Sequence, residues 1–274
     1  MSAEGPTPVI LKLGGSAITI KNRPLTLDKR AINRLAGEIK QADMDSLVIV
    51  HGGGSFGHWV AEKYDITDGY KEESQILGFS KTHQAMTLLN KQVVDSLISR
   101  SIPAVAISPA SMIATKSGRI NIMEERPLRN LLELGFTPVL YGDAVSDTQT
   151  GFNILSGDQL VVQLAIRLDA ERILIGADVD GLYDADPKTS QSARLISHIT
   201  LPQLMKLQEE IAKPSTMDVT GGMFGKVLEL LPVLDLGVQV IIANAREPGT
   251  IYKALKGETV GTLIEKGEQT ETLY

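Results

Sequence analysis

The chain has 274 residues, a formal net charge of −6 and no cysteine. That length supports one two-lobed domain or two fused ones, the acidic balance argues against a nucleic-acid partner, and the missing cysteine excludes a disulfide framework or a cysteine-based metal site. No apolar stretch reaches the ~18 residues needed to span a bilayer, and residues 1–6 carry no signal pattern, so a cytoplasmic protein without a membrane partner is expected.

The first element is Val9-Ile10-Leu11-Lys12-Leu13, an apolar strand running straight into Gly14-Gly15-Ser16. A short run without polar alternation is hidden on both faces, as in a parallel sheet. Lys12 therefore carries an ammonium into an expensive place unless an anion meets it. Lys21 follows in a polar segment. Residues 27–41 then set Leu27, Ala31, Ile32, Leu35 and Ile39 on a helical stripe. The next strand, 47–50, stops at Gly52-Gly53-Gly54, with His58 at or just inside the following helix. Glycines directly after a strand let the backbone turn and bring its N–H groups to an anion, and a helix N-terminus adds partial positive charge. A phosphate or carboxylate suits that combination. A tight turn with a structural histidine is the plain alternative.

A long helix is predicted over about 73–100, with Ile76, Phe79, Ser80, His83, Met86, Thr87 and Asn90 sharing one side. Strands follow near 104–107 and 138–141. Hairpin turns are read at Lys116-Ser117-Gly118-Arg119 and at 147–151. Ser156-Gly157-Asp158 opens a helix with N-cap chemistry. The strand at 173–177 ends in the acidic turn of Asp178 and Asp180, leading to Tyr183 and Asp184-Ala185-Asp186. Helices are expected at about 201–212 and 222–236, the second opened by Thr220-Gly221-Gly222 with Lys226 in its first turns, and strands at 239–243 and 260–265. This alternation predicts an α/β fold, a mostly parallel open sheet sandwiched by helices, with two lobes (1–169 and 170–274) sharing that sheet. Ligands in such sheets bind outside the carboxyl ends of the strands, where both glycine turns and the Asp178 turn fall. Neither turn matches G-x-x-x-x-G-K-[ST] or G-x-G-x-x-G, so ordinary P-loop and dinucleotide readings fail.

Five blocks, in order, resemble the amino-acid kinase superfamily over nearly the whole chain: Lys12-Leu13-Gly14-Gly15-Ser16, His51-Gly52-Gly53-Gly54, Ser156-Gly157-Asp158, Asp178-Val179-Asp180-Gly181-Leu182-Tyr183 and Thr220-Gly221-Gly222-Met223. Within it, Gly54-Ser55-Phe56-Gly57-His58, Ala61-Glu62-Lys63-Tyr64 and Ile18-Thr19-Ile20-Lys21 look like the isopentenyl phosphate kinases. The resemblance implies ATP-dependent phosphorylation of isopentenyl phosphate, with Mg2+ arriving on ATP, a small prenyl phosphate as partner, and a homodimer through first-lobe helices. Fosfomycin-modifying kinases share a similar histidine. A kinase for another small acceptor, such as fosfomycin phosphate or an acylated amino acid, therefore stays open, as does a non-catalytic nucleotide-binding protein on the same fold.

On this resemblance the first lobe holds the acceptor and the second the nucleotide. Lys12 and Lys226 flank the ATP phosphates, although Lys226 also reads as a solvated helix lysine. Lys21 stabilises the transition state; without the family pattern it is an ordinary loop lysine. His58, as an imidazolium, grips the acceptor phosphate rather than removing a proton. Asp158 orients the lysines, approaches Mg2+ through water, or merely caps its helix. Gly14, Gly15, Ser16, Gly54, Asp178, Tyr183, Asp186 and Gly222 are the further ATP contacts, and Gly53, Gly57 and Gly157 the acceptor contacts. Phe79, His83 and Met86 are candidates for the wall around the acceptor's tail. No protein metal site is expected, His51 reads as structural, and His198 as a surface residue.

Overall fold

The computed structural model describes residues 7–185, 187, 190, 192–211 and 223–267. In it β1 (Val9–Leu13) is buried at every position and runs into the short α1 (Gly15–Ile18). Asp28 then caps α2 (Lys29–Ala42) by accepting the Ala31 N–H at 3.0 Å, and the stripe residues Ile32, Leu35 and Ile39 carry that helix onto the core. The chain continues through β2 (Leu47–His51), α3 (Gly54–Lys63), α4 (Ser74–Ile98), β3 (Ala104–Ala106), β4 (Ile113–Lys116), β5 (Arg119–Met123) and α5 (Arg126–Glu133). Next come β6 (Thr137–Tyr141), β7 (Asp143–Asp147), β8 (Gly151–Leu155), α6 (Gly157–Leu168) and β9 (Arg172–Ala177). The remainder holds β10 (Leu182–Tyr183), β11 (Leu195–Ile196), β12 (His198–Thr200), α7 (Leu201–Ile211), α8 (Met223–Glu229), α9 (Leu231–Asp235), β13 (Gln239–Asn244), α10 (Thr250–Leu255) and β14 (Thr262–Glu265).

Eight of the described strands form one sheet in the order β12-β14-β13-β9-β1-β2-β6-β3. From β13 to β3 every pairing is parallel, as the unalternating apolar runs predict. β14 runs antiparallel to β13, and β12 pairs in parallel with β14, so these two strands run opposite to the rest. Helices cover both faces. The period of two along β1 sends Val9, Leu11 and Leu13 into the cluster with α2, α4 and α10, and Ile10 into the cluster with α6 and α9.

Two local expectations change. The hairpins at 116–119 and 147–151 are parts of one four-stranded sheet, β5-β4-β7-β8, because β4 and β7 pair in parallel. The helix expected over 222–236 is interrupted at Leu230: Pro232, in the first turn of α9, lacks the N–H a continuous helix would need. Its expected start at Gly222 lies outside the described residues.

Asp147 joins the two turns of the smaller sheet. Its Oδ1 accepts from the N–H groups of Ser117, Gln149 and Thr150, and its Oδ2 from Gly118. Burial by itself would raise its pKa, but the backbone donors of Gly118, Thr150 and Gln149 outweigh it and hold the carboxyl below the usual range. The depressed folded value means that its stabilisation is complete above the unfolded pKa and is lost as pH falls through the folded one. Asp147→Ala leaves four backbone donors without their partner and should cost about 2–4 kcal/mol at neutral pH. Urea melts should show this loss shrinking in acid, and an undiminished loss at low pH would contradict the charged role.

Candidate active site

The ends of β1, β2 and β9 stand level, since Leu13 pairs with both His51 and Gly176. Their turns meet in contact that admits no side chain. A Cβ on Gly15 would lie 2.1 Å from the Gly54 nitrogen, and one on Gly52 would lie 2.7 Å from the Gly15 nitrogen. Gly54 also holds φ at +48°, in the left-handed region. Thr19 stitches the two turns together, its Oγ1 donating to the Gly15 carbonyl at 2.8 Å and accepting the Ser55 N–H at 3.0 Å. Gly14 N–H donates to Gly176 O, and Gly52 N–H to Leu13 O. The N–H groups of Gly15, Gly53 and Gly54 meet no backbone acceptor among the described residues. All three residues line a cleft of about 1070 Å³. Converging amides of this kind favour an anion.

Lys12 enters from beneath. The strand period places it on the α6 side, where it is 3 % exposed and its Nζ lies 2.5 Å from Asp158 Oδ1. Ser156 fixes the start of α6 by accepting the Gln159 N–H at 3.1 Å, and Asp158 stands in its first turn, where the helix dipole favours a carboxylate. Gly157 packs beside the lysine, since a Cβ there would touch Lys12 Cε at 3.4 Å, an ordinary van der Waals contact. Burial lowers the Lys12 pKa; Asp158 opposes that shift, and Lys226 adds to it. Lys226, half exposed on α8, reaches Asp158 Oδ2 at 3.9 Å. One carboxylate thus sits between two ammonium groups at the cleft floor. At this point of the cleft the two ammonium groups outnumber the carboxylate they share, which favours an anionic ligand.

Ser16, Lys21, His58 and Asp178 line the same cleft, with Gly14, Gly57 and Gly157. Burial and the positive charge of Lys226 lower the His58 pKa, so the free site holds a neutral imidazole at neutral pH, where the sequence suggested an imidazolium. A bound phosphate would push that value back up. Tyr183 stands outside the lining, its OH donating to Asp180 at 2.9 Å, while Asn244 donates to the other oxygen of Asp180. Asp186 and Gly222 lie outside the described residues.

Ala61, Thr67, Thr82, Met86 and Ile154 also line the cleft. Met86 reaches it because α3 presents glycines to α4: a Cβ on Gly57 would stand 2.8 Å from Met86 Sδ, and one on Gly53 3.3 Å. Phe79 points elsewhere on α4 and packs against Phe152, with ring centroids 5.5 Å apart. His83 is absent from the lining but donates or accepts through Nδ1 at 2.8 Å from Asp143 Oδ2, and Asp143 does line the cleft. The sequence reading passed over Asp143, Thr82, Thr67 and Ile154. A signal for Asp143 existed: Tyr141-Gly142-Asp143 is another apolar strand ending at a glycine, and Gly142 N–H bonds to His51 O in the neighbouring turn.

Known proteins resemble this chain in sequence and in fold. The sequence profile described as the amino acid kinase family matches residues 7–244. The chain is 42 % identical to the isopentenyl phosphate kinase of Methanothermobacter thermautotrophicus, covering 93 % of this chain and 98 % of that one. It is 37 % identical to the isopentenyl phosphate kinase of Methanocaldococcus jannaschii, covering 94 % and 99 %. Among solved structures, one described as X-ray structures of isopentenyl phosphate kinase superposes with a TM-score of 0.81 at 39 % identity, covering 94 % of this chain and all of that one.

Asp143 gives the cleft a measurable acid signature. Burial raises its pKa to about 6, against the pull of the His83 charge and hydrogen bond and of the Ala144 and Ala110 amides. An unfolded aspartate titrates near ~4. The folded value is the higher one, so this group's stabilisation is complete below that unfolded value and is lost as pH rises through about 6. Asp143→Asn, neutral throughout, should therefore flatten the fall in unfolding free energy between pH 4.5 and 6.5. Identical slopes for the two proteins in denaturant titrations would refute the shift.

Proposed function

The chain belongs to the amino acid kinase family, among the isopentenyl phosphate kinases, and we propose that its cleft takes ATP and isopentenyl phosphate end to end and yields isopentenyl diphosphate and ADP. The observation that carries this reading is the floor of two lysines around one carboxylate beneath two amide-lined glycine turns. Such an arrangement suits phosphoryl transfer, where positioning and charge neutralisation do most of the work.

In the step itself an oxygen of the acceptor phosphate bonds to the γ-phosphorus. The bond from that phosphorus to the β,γ-bridging oxygen breaks, and ADP leaves with the electron pair. The acceptor oxygen is already ionised, so no residue has to act as a strong base. Lys12 and Lys226 meet the nucleotide phosphates, and Lys21, from the cleft's rim, meets the charge on the transferring group. His58 donates one N–H to the acceptor phosphate, and Gly53 and Gly54 offer amides to the phosphoryl groups. Among the described residues no group of three or more His, Cys, Asp or Glu side chains could hold a metal. Mg2+ would therefore ride on phosphate oxygens, drawing charge from the γ-phosphoryl group. Asp158, held by Lys12, would approach it through water at most.

A homodimer is supported by Leu77 and Leu88, each about half exposed and three turns apart on the outer face of α4. Among the described residues no helix is long and apolar enough to cross a membrane, and a small ionic substrate suits the cytoplasm we assign.

An ADP-release assay across isopentenyl phosphate, dimethylallyl phosphate, fosfomycin phosphate, N-acetylglutamate and UMP tests the acceptor. Isopentenyl phosphate should give the highest kcat/KM, and turnover confined to the last three would sink the assignment. A second outcome concerns the tail. A five-carbon chain gains roughly 0.8 kcal/mol per buried methylene, so a closed slot discriminates by length. Met86→Ala should raise kcat/KM for geranyl phosphate relative to isopentenyl phosphate, because Met86 lines the cleft. Phe79→Ala should lower the melting temperature and leave the chain-length ratio alone. A shift in that ratio for Phe79→Ala but not Met86→Ala would mean the tail runs elsewhere.

A further inference from the structure

His51 lies under the cleft without lining it. Its ring is fully buried and stacked on Tyr141, with centroids 5.5 Å apart and planes 20° from parallel. Nε2 stands 3.2 Å from Asn90 Nδ2, and the same amide nitrogen donates to the Val139 carbonyl at 3.3 Å. Asn90 is thus the donor to the ring, so Nε2 accepts and the proton sits on Nδ1. That Nδ1–H faces the Gly52 carbonyl at 3.1 Å. Burial keeps the ring neutral by lowering its pKa to about 4.

The Gly52–Gly53 peptide is trans, so its C=O and N–H point opposite ways. With the carbonyl turned to His51, the Gly53 N–H points away from the buried ring. Gly53 lines the cleft, and its N–H meets no backbone acceptor among the described residues. A peptide flanked by glycines can rotate easily, and one of its orientations has to be selected. We propose that His51 is a positioning residue: its Nδ1–H pins the Gly52 carbonyl and so aims the Gly53 amide at the anion held in the cleft. Asn90, from the middle of α4, fixes the tautomer that makes this possible. The inference rests on the phosphoryl-transfer reading of the cleft but not on the identity of the acceptor.

Two substitutions separate positioning from packing. An asparagine amide nitrogen falls near the place of ring Nδ1, whereas a glutamine amide falls near Nε2. His51→Asn therefore keeps a donor to Gly52, and His51→Gln loses it. In glycine-15N-labelled protein titrated with inorganic phosphate, the Gly53 amide proton should move downfield in the parent and in His51→Asn. In His51→Gln that movement should be at least ~2-fold smaller. With ATP and isopentenyl phosphate, the acceptor KM should rise by about tenfold or more in His51→Gln and by less than about threefold in His51→Asn, with ATP affinity by calorimetry unchanged in both. Equal losses in the two variants, following a common fall in melting temperature, would reduce His51 to a packing residue. A full Gly53 response in His51→Gln would overturn the proposal as well. If the parent shows the phosphate response and its asymmetry between variants but never turns over isopentenyl phosphate, the acceptor assignment falls and the role of His51 stands.

Discussion

The contact between the two glycine turns is the constraint on which the site depends. Gly15 and Gly54 approach so closely that one added carbon would overlap backbone on the other side. This packing lets the ends of β1 and β2 present their amides to one point instead of two. Thr19 adds a hydrogen bond to each turn and so holds the pair at that separation. The donors are prepaid by the fold, and a ligand need not organise them on arrival.

Charge is arranged in the same spirit. A lysine in the central strand of a buried sheet would lower stability if left alone. Asp158 answers Lys12 from the first turn of α6, and its own position is set by the Ser156 cap. The second ammonium, Lys226, comes from α8 and is far more exposed. The floor of the cleft therefore pairs one rigid, buried cation with one adjustable one. A phosphate entering above them completes a charge balance that the protein leaves open.

Much of this was legible from residues 9–16, 48–58, 156–158 and 173–178, where apolar runs stop at glycine, serine or aspartate. Such signatures are local, and local signals survive in a single sequence. What stayed hidden depends on distance. Asp143 and Thr82 become neighbours of the cleft only through the pairing of β6 with β2 and the packing of α4 on α3. Phe79 and Met86 share a helical stripe in the sequence, yet the glycines of α3 draw in Met86 while Phe152 takes Phe79. The four-stranded sheet was read as separate hairpins because its joining pair, β4 with β7, spans thirty-odd residues and leaves no periodic mark. Pro232 is the mark in the sequence of the break between α8 and α9, since its ring removes an N–H that a continuous helix needs.

The separation of 146 positions between Lys12 and Asp158 also bears on how the chain comes into being. β1 occupies the middle of the sheet, but one of its two neighbours, β9, is made only after residue 172. While the chain is being synthesised, an apolar strand with an ammonium at its centre must wait, with one edge open and its counter-charge unmade. N-terminal segments fold first only when their partners are at hand, and here one of the two is not. Completion of the sheet around β1 therefore waits for β9, and no N-terminal fragment ending before α6 can assemble the charged floor of the cleft.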